Sequence, residues 1–345
     1  VTWATVDLQG KSALVGGAVS ILSAESIETK PYTVAVSGSL LNASVNAIRT
    51  TMSPNVVTKI NEADIDAQGG INIGAQLLEE DNFHNVAVPL GGANVYVGDY
   101  TWTDDAKTGI TVAGGTKLKS ESGSINIGTD SKSKEKFHHV DVAAIGLNVV
   151  VLPPLFSQNA SNTITLGDNI TIEARDAVKI GTKSQSDIDV AAYDITVGVV
   201  TVDAGHFRCE LGITQNLEIG KNASITGRSV DITQNVNRKN FIRVDHIDGV
   251  SVVGLAFPFL KATDTVNAAL TIGNGSAIAS MYEGDITIAS DVKADTTFDL
   301  FASNGAVAGV GVSNKNTFTQ NIGNKAKLGD GVKLRAETGN MTVRA

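Results

Sequence analysis

The chain has 345 residues with a formal net charge of −9, and its Lys and Arg residues form no long run. Because nucleic acids are bound through clustered positive charge, this balance argues against a nucleic-acid partner. Hydrophobic residues make up 42% of the chain and charged residues 18%, a mixture that excludes a disordered polypeptide. The 35 glycines and the many β-branched residues favour short strands and turns over helices.

The cysteine count and the hydropathy of the chain argue against a disulfide-bonded, a cysteine-ligated metal-binding or a membrane-inserted protein. The single cysteine, Cys209, can form neither an intrachain disulfide nor a cysteine-based metal cluster. The most apolar stretch, Val140–Phe156, is interrupted by Asp141 and Asn148, so no membrane insertion is predicted. The first ten residues contain neither an initiator Met nor a basic leader, and we therefore expect a fragment or a mature segment of a longer protein.

An apolar-x-apolar tripeptide recurs along the chain in copies that we number 1 to 7. Its last residue is, in turn, Ile21, Ile73, Ile127, Ile180, Ile232, Ile288 and Val343, so the period is about 54 residues. A second motif, of the type ITLGDN, precedes the tripeptide and begins at Ile110, Ile164, Leu217, Leu270 and Ala326. A third, of the type VDVAA, follows it. Tandem copies at a fixed period indicate a repeat architecture.

Within each copy, apolar and polar residues alternate in short runs bounded by Gly, Asn, Asp or Ser, and no helical period is sustained. This excludes helical and leucine-rich repeats, and the shortage of hairpin turns and aromatic residues argues against a propeller. The pattern predicts an all-β, right-handed parallel β-solenoid that occupies residues 1–345 as one continuous domain. We expect two or three coils in each copy, and hence a rod on the order of 65–100 Å long at the usual strand spacing.

The stretch GDNITIEARDAVKIGT places Glu173, Arg175 and Asp176 close together, as an acid/base pair beside a guanidinium would be. The other copies argue against a site here. Ile172 is aliphatic in each aligned copy and Ala174 is small, whereas the position of Glu173 accepts Lys, Thr, Ala and Arg. Because an inward Lys or Arg without a partner is strongly unfavourable, Glu173 is predicted to face water.

Four glycines follow a core aliphatic residue at the same place in successive copies: Gly167, Gly220, Gly273 and Gly329. We expect a positive φ at these positions, which glycine adopts without steric penalty. No helix is predicted after any of them, so they do not indicate a phosphate-binding loop.

The five histidines fall after the tripeptide, in the part of each copy that we expect to form protruding loops. These loops, around residues 29–33, 78–84, 130–139 and 236–243, are the predicted contact face. The adjacent His138 and His139 would point to opposite faces of a strand, and no Cys or carboxylate lies at ligand spacing. Neither a metal nor a cofactor is therefore predicted.

Polysaccharide lyases and hydrolases also use β-solenoids, with acids and bases lining a groove. Such a site would interrupt the repeat with stacked charged residues and aromatic sugar platforms. The outward charges in this chain are scattered, and Trp3 and Trp102 lie far apart. The sequence therefore predicts a non-catalytic protein, with a polysaccharide-degrading enzyme as the alternative.

The pattern Asn-x-Ser/Thr occurs at Asn42, Asn159, Asn169, Asn222, Asn274 and Asn340. Three of these, Asn169, Asn222 and Asn274, fall in the same turn of consecutive copies. Asn, Ser and Thr are common in turns for conformational reasons alone. The alternative is that these three asparagines are glycan acceptors.

The tandem arrangement of LTIG-type and VDVAA-type motifs resembles the repeat region of very large bacterial surface filamentous adhesins, in particular the leukotoxin-type filamentous adhesins of anaerobic Gram-negative bacteria. Filamentous-haemagglutinin-like exoproteins are similar in architecture. The resemblance covers essentially the whole chain. It implies export, an extracellular or cell-surface location, and a role in adhesion or biofilm matrix, and it carries over no catalytic residues.

We therefore expect a structural or adhesive rod segment whose partner is a surface glycan or protein of the host or of bacteria. The final stretch, Arg335–Ala345, ends on a predicted strand without a polar cap, so the repeat array is expected to continue in the intact protein. Open ends of such a stack can also associate end to end or laterally. A self-assembling extracellular filament subunit is the second alternative.

Overall fold

The computed structural model describes residues 2–9, 13–152, 154–256, 259–304, 308–310 and 316–345. Within these ranges the chain forms strands and turns and no helix, as its glycine-rich and β-branched composition predicts. The prediction of an all-β protein is therefore confirmed.

The strands, in chain order, are β1 (Trp3–Leu8), β2 (Ala13–Gly16), β3 (Val19–Thr29), β4 (Tyr32–Met52), β5 (Asn55–Ile60), β6 (Asp64–Ala67), β7 (Ile71–Val112), β8 (Lys117–Ser120), β9 (Ile125–Leu152), β10 (Leu155–Leu166), β11 (Thr171–Ala174), β12 (Ala177–Ile219), β13 (Ser224–Gly227), β14 (Ser229–Ala256), β15 (Phe259–Ile272), β16 (Ala277–Ser280), β17 (Ile286–Asn304), β18 (Ala308–Val310), β19 (Thr317–Leu328), β20 (Lys333–Ala336) and β21 (Met341–Arg344).

The strands form two sheets. The large sheet has fourteen strands, and the small sheet contains the seven four-residue strands β2, β6, β8, β11, β13, β16 and β20, one for each copy. Every pairing between described strands is parallel, and each joins a residue to its counterpart one copy further along the chain. The predicted repeat is confirmed residue by residue, since all seven tripeptide positions from Ile21 to Val343 are paired in order.

The prediction of two or three coils in each copy was wrong. Ile73 pairs with Ile21 on one side and Ile127 on the other, so one copy contributes one layer to the stack. At a strand spacing of about 4.8 Å, seven layers extend for roughly 30 Å and not for 65–100 Å. The error arose because the strands were expected to be short, whereas β7 has 42 residues and β12 has 43.

The long strands also replace the predicted protruding loops. Residues 78–84, 130–139 and 236–243 lie inside β7, β9 and β14, and residues 29–33 span only the short break between β3 and β4. The histidines therefore lie on strands, and the side chain of His246 is outside the described residues. In these three segments, successive side chains point alternately to the surface and to the interior, as in any strand, and some of the polar ones are therefore buried.

Copies 1 to 6 each contain two arms that face each other. In copy 2, the outgoing arm begins at Ile71 and the returning arm ends at Val112, both within β7. Inward side chains from the two arms meet, as shown by the rings of Phe83 and Trp102, whose centroids are 5.3 Å apart. In copy 1, the Oγ of Ser23 and the Oγ1 of Thr58 are 2.7 Å apart across the same interior.

An apolar core lies where the large and small sheets pack together. It consists mainly of Ile, Leu and Val, and Ile65 and Ile172 from the small sheet and Ile73 and Ile180 from the large sheet all belong to it. These side chains are at most 2% exposed. Burying a side chain of this size contributes about 1.5–3 kcal/mol, so this end of each copy has the strongest hydrophobic stabilisation.

The glycines after the core aliphatic residue have a different role from the one predicted. The positive φ angles in these turns belong two residues later, to Asn169 (57°), Asn222 (53°), Gly275 (72°) and Gly331 (68°). Asn tolerates this conformation better than most residues, and glycine adopts it freely. The prediction of positive φ at Gly167, Gly220, Gly273 and Gly329 was therefore wrong.

Close stacking of backbones requires these glycines. A Cβ added to Gly220 would lie 2.5 Å from the carbonyl carbon of Gly167, and one added to Gly273 would lie 2.6 Å from that of Gly220. These distances are shorter than van der Waals contact, and the opposing atoms are backbone atoms that cannot rotate away. A column of glycines is thus necessary for adjacent turns to approach at strand spacing.

We expect the substitution Gly220→Ala to lower the free energy of unfolding by about 1–3 kcal/mol, because the added methyl group forces the stacked turns apart. The measurement is urea-induced unfolding followed by circular dichroism. Gly128→Ala is the matched control, since the nearest atom to a Cβ there is 3.7 Å away. Equal effects of the two substitutions would contradict the stacking role of Gly220.

Candidate functional site

The stretch that suggested an acid/base pair lies on the outer surface. Glu173, Arg175 and Asp176 are exposed, whereas Ile172 and Ala174 are buried. Glu173 pairs in register with Lys119 of copy 3 and Thr226 of copy 5. The prediction that Glu173 faces water is confirmed, and its carboxylate is one of several outward groups in a variable column.

The three candidate glycan acceptors lie in stacked turns. Asn169, Asn222 and Asn274 are all exposed. The Nδ2 of Asn222 donates a hydrogen bond of 3.4 Å to the Oδ1 of Asn169. Asn274 lies one position earlier in its turn, where its Oδ1 accepts a hydrogen bond of 3.0 Å from the backbone N–H of Asp330. The turns therefore use these asparagines for backbone geometry and for hydrogen bonds between copies, while leaving them at the surface.

The other Asn-x-Ser/Thr positions are scattered. Asn159 lies exposed on β10, and Asn340 is exposed just before β21. The side chain of Asn42 lies outside the described residues. The structure does not bring Asn159 or Asn340 together with Asn169.

A group of four buried acids lies in copies 2 and 3. Glu79, Asp81, Asp104 and Glu135 are each at most 1% exposed. Glu79 and Asp81 lie on the outgoing arm of β7 and Asp104 on its returning arm, and Glu135 pairs in register with Asp81. The four carboxyl groups thus lie between the two arms, where they cannot contact a substrate in solvent.

Few hydrogen bonds compensate these acids. Glu79 and Asp104 have no hydrogen-bond partner at either carboxyl oxygen. Asp81 accepts a hydrogen bond from Thr29, and Glu135 accepts one from Ser133. An ionised carboxylate without a partner is very unfavourable in such surroundings, and the group binds a proton instead.

The pKa values follow from this burial. Removal from water raises the pKa of Glu79 to about 9 and that of Asp104 to about 10, and repulsion from Glu135 adds to both shifts. Burial also raises the pKa of Glu135 to about 7 and shifts the pKa of Asp81 upwards. At neutral pH, Glu79 and Asp104 are therefore protonated and uncharged.

A buried histidine, His139, lies four residues beyond Glu135 on the same inward face of β9. The Nδ1 of His139 accepts a hydrogen bond of 2.9 Å from the Nδ2 of Asn85, and its ring centroid is 4.6 Å from that of Tyr100. Burial lowers the pKa of His139 to about 4, so the ring is neutral at pH 7. His138 is partly exposed, which confirms that the two adjacent histidines point to opposite faces.

Copy 5 contains a buried arginine that, unlike the groups described so far, forms an ion pair. The Nε of Arg238 lies 3.2 Å from the Oδ1 of Asp264, and both side chains are fully buried. Arg238 also donates to the Oδ1 of Asn240 at 3.2 Å, and Thr296 donates to the Oδ2 of Asp264 at 2.7 Å. Burial lowers the pKa of Arg238, while the charge of Asp264 opposes this shift.

Two further findings concern the described residues only. They contain no group of three or more His, Cys, Asp or Glu residues arranged to hold a metal ion. No helix that is long and apolar enough to cross a membrane is found among them.

The buried acids were not identified from the sequence, although a signal for them was present. Counting in steps of two from Ile71 and Ile73 gives Ala75 and Leu77 as inward positions, and then Glu79 and Asp81. Polar residues at these positions suggest a loop, but the strand and its alternation continue through them.

Comparison with known proteins gives no assignment. No family model matches the chain, and no curated protein or solved structure is significantly similar to it.

We expect the free energy of unfolding to fall as the pH rises from 7 to 9. The folded-state pKa values of Glu79 and Asp104 lie above those of the unfolded chain, so their contribution is complete below about pH 4 and is lost as the pH rises towards 9–10. Each group contributes a slope of about 1.4 kcal/mol per pH unit. His139 acts in the opposite direction only below pH 6.5, outside this interval.

The measurement is urea-induced unfolding at pH 7, 8 and 9, with the wild type compared with Glu79→Gln. The amide keeps the shape of the protonated carboxyl and does not ionise, so this variant should show a shallower decline. Glu80→Gln is the matched control, because Glu80 is exposed and its contact with Lys134 is at the surface. Parallel declines in all three proteins would show that the buried acids do not control the pH dependence.

If the alternative of glycan acceptors is correct, protein isolated from its native source carries sugars on Asn169, Asn222 or Asn274, whose side chains are all exposed. The intact mass should exceed the sequence mass by the mass of the sugars, and peptide mapping should place them in the stacked turns. An unmodified native mass would exclude the glycans.

Proposed function

We propose that this chain is a non-catalytic structural and adhesive segment of a large secreted bacterial surface protein, with the fold of a right-handed parallel β-solenoid. One observation carries the proposal: each described strand pairs in parallel with its counterpart one copy along, from copy 1 to copy 7. Such a stack lengthens by adding copies while every inward column continues unchanged.

The connections between strands support a closed coil. Copies 1 to 6 each run from a short strand of the small sheet into the outgoing arm of the large sheet, back along the returning arm, and into the next short strand one layer further on. The apolar core between the sheets joins the beginning and the end of this path. Right-handedness is proposed because nearly all crossovers between parallel strands of one sheet are right-handed.

A structural role fits the contrast between the two faces of each strand. Inward positions such as Ile172 and Ile225 are aliphatic and buried, and the intervening outward positions vary in charge and size. The arms are about 60 Å long at the usual rise per residue, so each added copy extends a broad outer surface. We propose that a surface glycan or protein binds to this outer surface, outside the cell. The resemblance of the repeated motifs to filamentous adhesins supports the same role.

The extensibility of the stack is tested by inserting whole copies. A chain in which residues 125–285 occur twice in tandem contains three additional copies in register, because Ile125, Val178, Val230 and Ile286 occupy one column. We expect it to fold and to be longer by about 14 Å along one axis, at about 4.8 Å per layer. Electron microscopy and small-angle X-ray scattering measure this length.

The matched control repeats only residues 178–203, which end partway along the arms and shift all later copies out of register. We expect this control to lose cooperative unfolding. A three-copy insertion that unfolds non-cooperatively or adds no length would contradict the solenoid.

Fibres that grow with concentration from the original chain would favour the filament subunit over the adhesive segment. Adhesion itself is measured by retention of protein-coated beads on bacterial and epithelial surfaces, with heat-unfolded protein as the control.

A further inference from the structure

In each copy, a few residues connect the end of the small-sheet strand to the start of the outgoing arm, and we call this connection the corner. The corners of neighbouring copies differ in length, and this difference forms a groove. In copy 5, only Arg228 and Ser229 separate the last small-sheet residue from Val230. In copy 6, the whole segment Met281–Asp285 occupies the same place. The short corner of copy 5 is therefore recessed beside the long corner of copy 6, which leaves a groove with a volume of about 530 Å³. We call it the corner groove.

An exposed aromatic ring forms one wall of the corner groove. Tyr282 is 62% exposed and has a φ of 59°, a conformation that is rare for a bulky residue. Two hydrogen bonds from copy 7 hold it. The backbone N–H of Tyr282 donates to the Oε2 of Glu337 at 3.0 Å, and its carbonyl accepts from the Oγ1 of Thr338 at 3.0 Å. Unfavourable backbone conformations persist where the surroundings enforce them, and they are concentrated at binding sites.

Two guanidinium groups also line the corner groove. Arg175 of copy 4 and Arg228 of copy 5 are both exposed, and neither side chain has a hydrogen bond or an ion pair with a described residue. Their corners are adjacent, since the backbone N–H of Arg228 donates to the carbonyl of Asp176. Of the other exposed arginines, Arg49, Arg208 and Arg344 each pair with a nearby carboxylate, whereas Arg335 on β20 pairs with none among the described residues.

We propose that the corner groove binds an acidic saccharide, that is, a sugar whose ring carries a carboxylate. The apolar face of the sugar ring would pack on Tyr282. The carboxylate would accept paired hydrogen bonds from Arg228 and Arg175, because a planar guanidinium matches a carboxylate in geometry. Glu283 and Glu337 also line the groove and would accept hydrogen bonds from the sugar hydroxyls.

The surrounding charge favours a saccharide over a polyphosphate. Three acidic side chains, Asp176, Glu283 and Glu337, lie around the two arginines, and the chain as a whole has a net charge of −9, so a phosphate backbone would be repelled. A single carboxylate on a hydroxyl-rich ring matches this mixture of donors and acceptors. The proposal assigns a ligand class to the adhesive surface proposed above and rests on that role.

The experiment uses trigalacturonate as the acidic probe and galactotriose as the neutral one, with affinity measured by isothermal titration calorimetry on the full chain. We expect trigalacturonate to bind and galactotriose to bind at least tenfold more weakly. Arg228→Gln should weaken trigalacturonate binding at least tenfold. Tyr282→Asn should weaken it severalfold, and asparagine was chosen because it tolerates positive φ and keeps the corner intact.

Arg335→Gln is the matched control, because Arg335 is an exposed arginine on β20 outside the groove, and its binding should equal that of the wild type. Thermal unfolding confirms that each variant is folded. The proposal is overturned if the wild type does not bind trigalacturonate at millimolar concentration or binds galactotriose equally well. It is also overturned if the Arg228→Gln variant binds trigalacturonate as tightly as the wild type does. If coated beads still adhere while trigalacturonate does not bind, the adhesive role stands and only the ligand assignment of the corner groove fails.

Discussion

The structure depends on hydrogen bonding between parallel backbones one copy apart. This ladder places each residue directly over its counterpart in the next copy at the strand spacing, so the sequence is read in columns as well as along the chain. A column of aliphatic residues becomes a continuous core. A column of glycines allows turns to approach at distances that a Cβ would prevent, as at Gly167 and Gly220.

The same columns explain why the interior is mixed in polarity. Between the sheets the columns are aliphatic, but further along the arms they contain aromatic, amide and charged side chains. Phe83 and Phe137 stack with ring centroids 5.0 Å apart, while Asp81 lies over Glu135 at the position immediately before them on that face. Two neighbouring acids that are removed from water cannot both be ionised, so at least one of the two carboxyl groups stays protonated. In copies 2 and 3 this part of the arms is stabilised less by burial than the apolar core is, whereas in copies 4 and 5 aliphatic side chains such as Ile188 and Ile242 pack there.

The outer surface has much weaker constraints, and its differences between copies carry the functional proposals. A ladder fixes which residues are adjacent but not how long the corners between strands are. Copy 5 has a short corner and copy 6 a long one, and the step between them brings Arg228 beside Tyr282. In the proposed function, the regular stack is the support, and the irregular corners supply the shape and the chemistry of a binding surface.

The sequence alone determined the period, the all-β class and the direction of many side chains, because strand alternation and tandem repetition are local properties that can be counted. Ile172, Glu173 and Ala174 were placed correctly in this way. Only the tertiary structure decided how far each strand extends, which residues become desolvated between facing arms, and which corners lie side by side. Glu79 and Asp104 are close because a strand turns back on itself, and Arg175, Arg228 and Tyr282 are close because three copies stack. These contacts join residues that are distant along the chain, so their chemistry depends on the folded geometry and cannot be obtained from spacing.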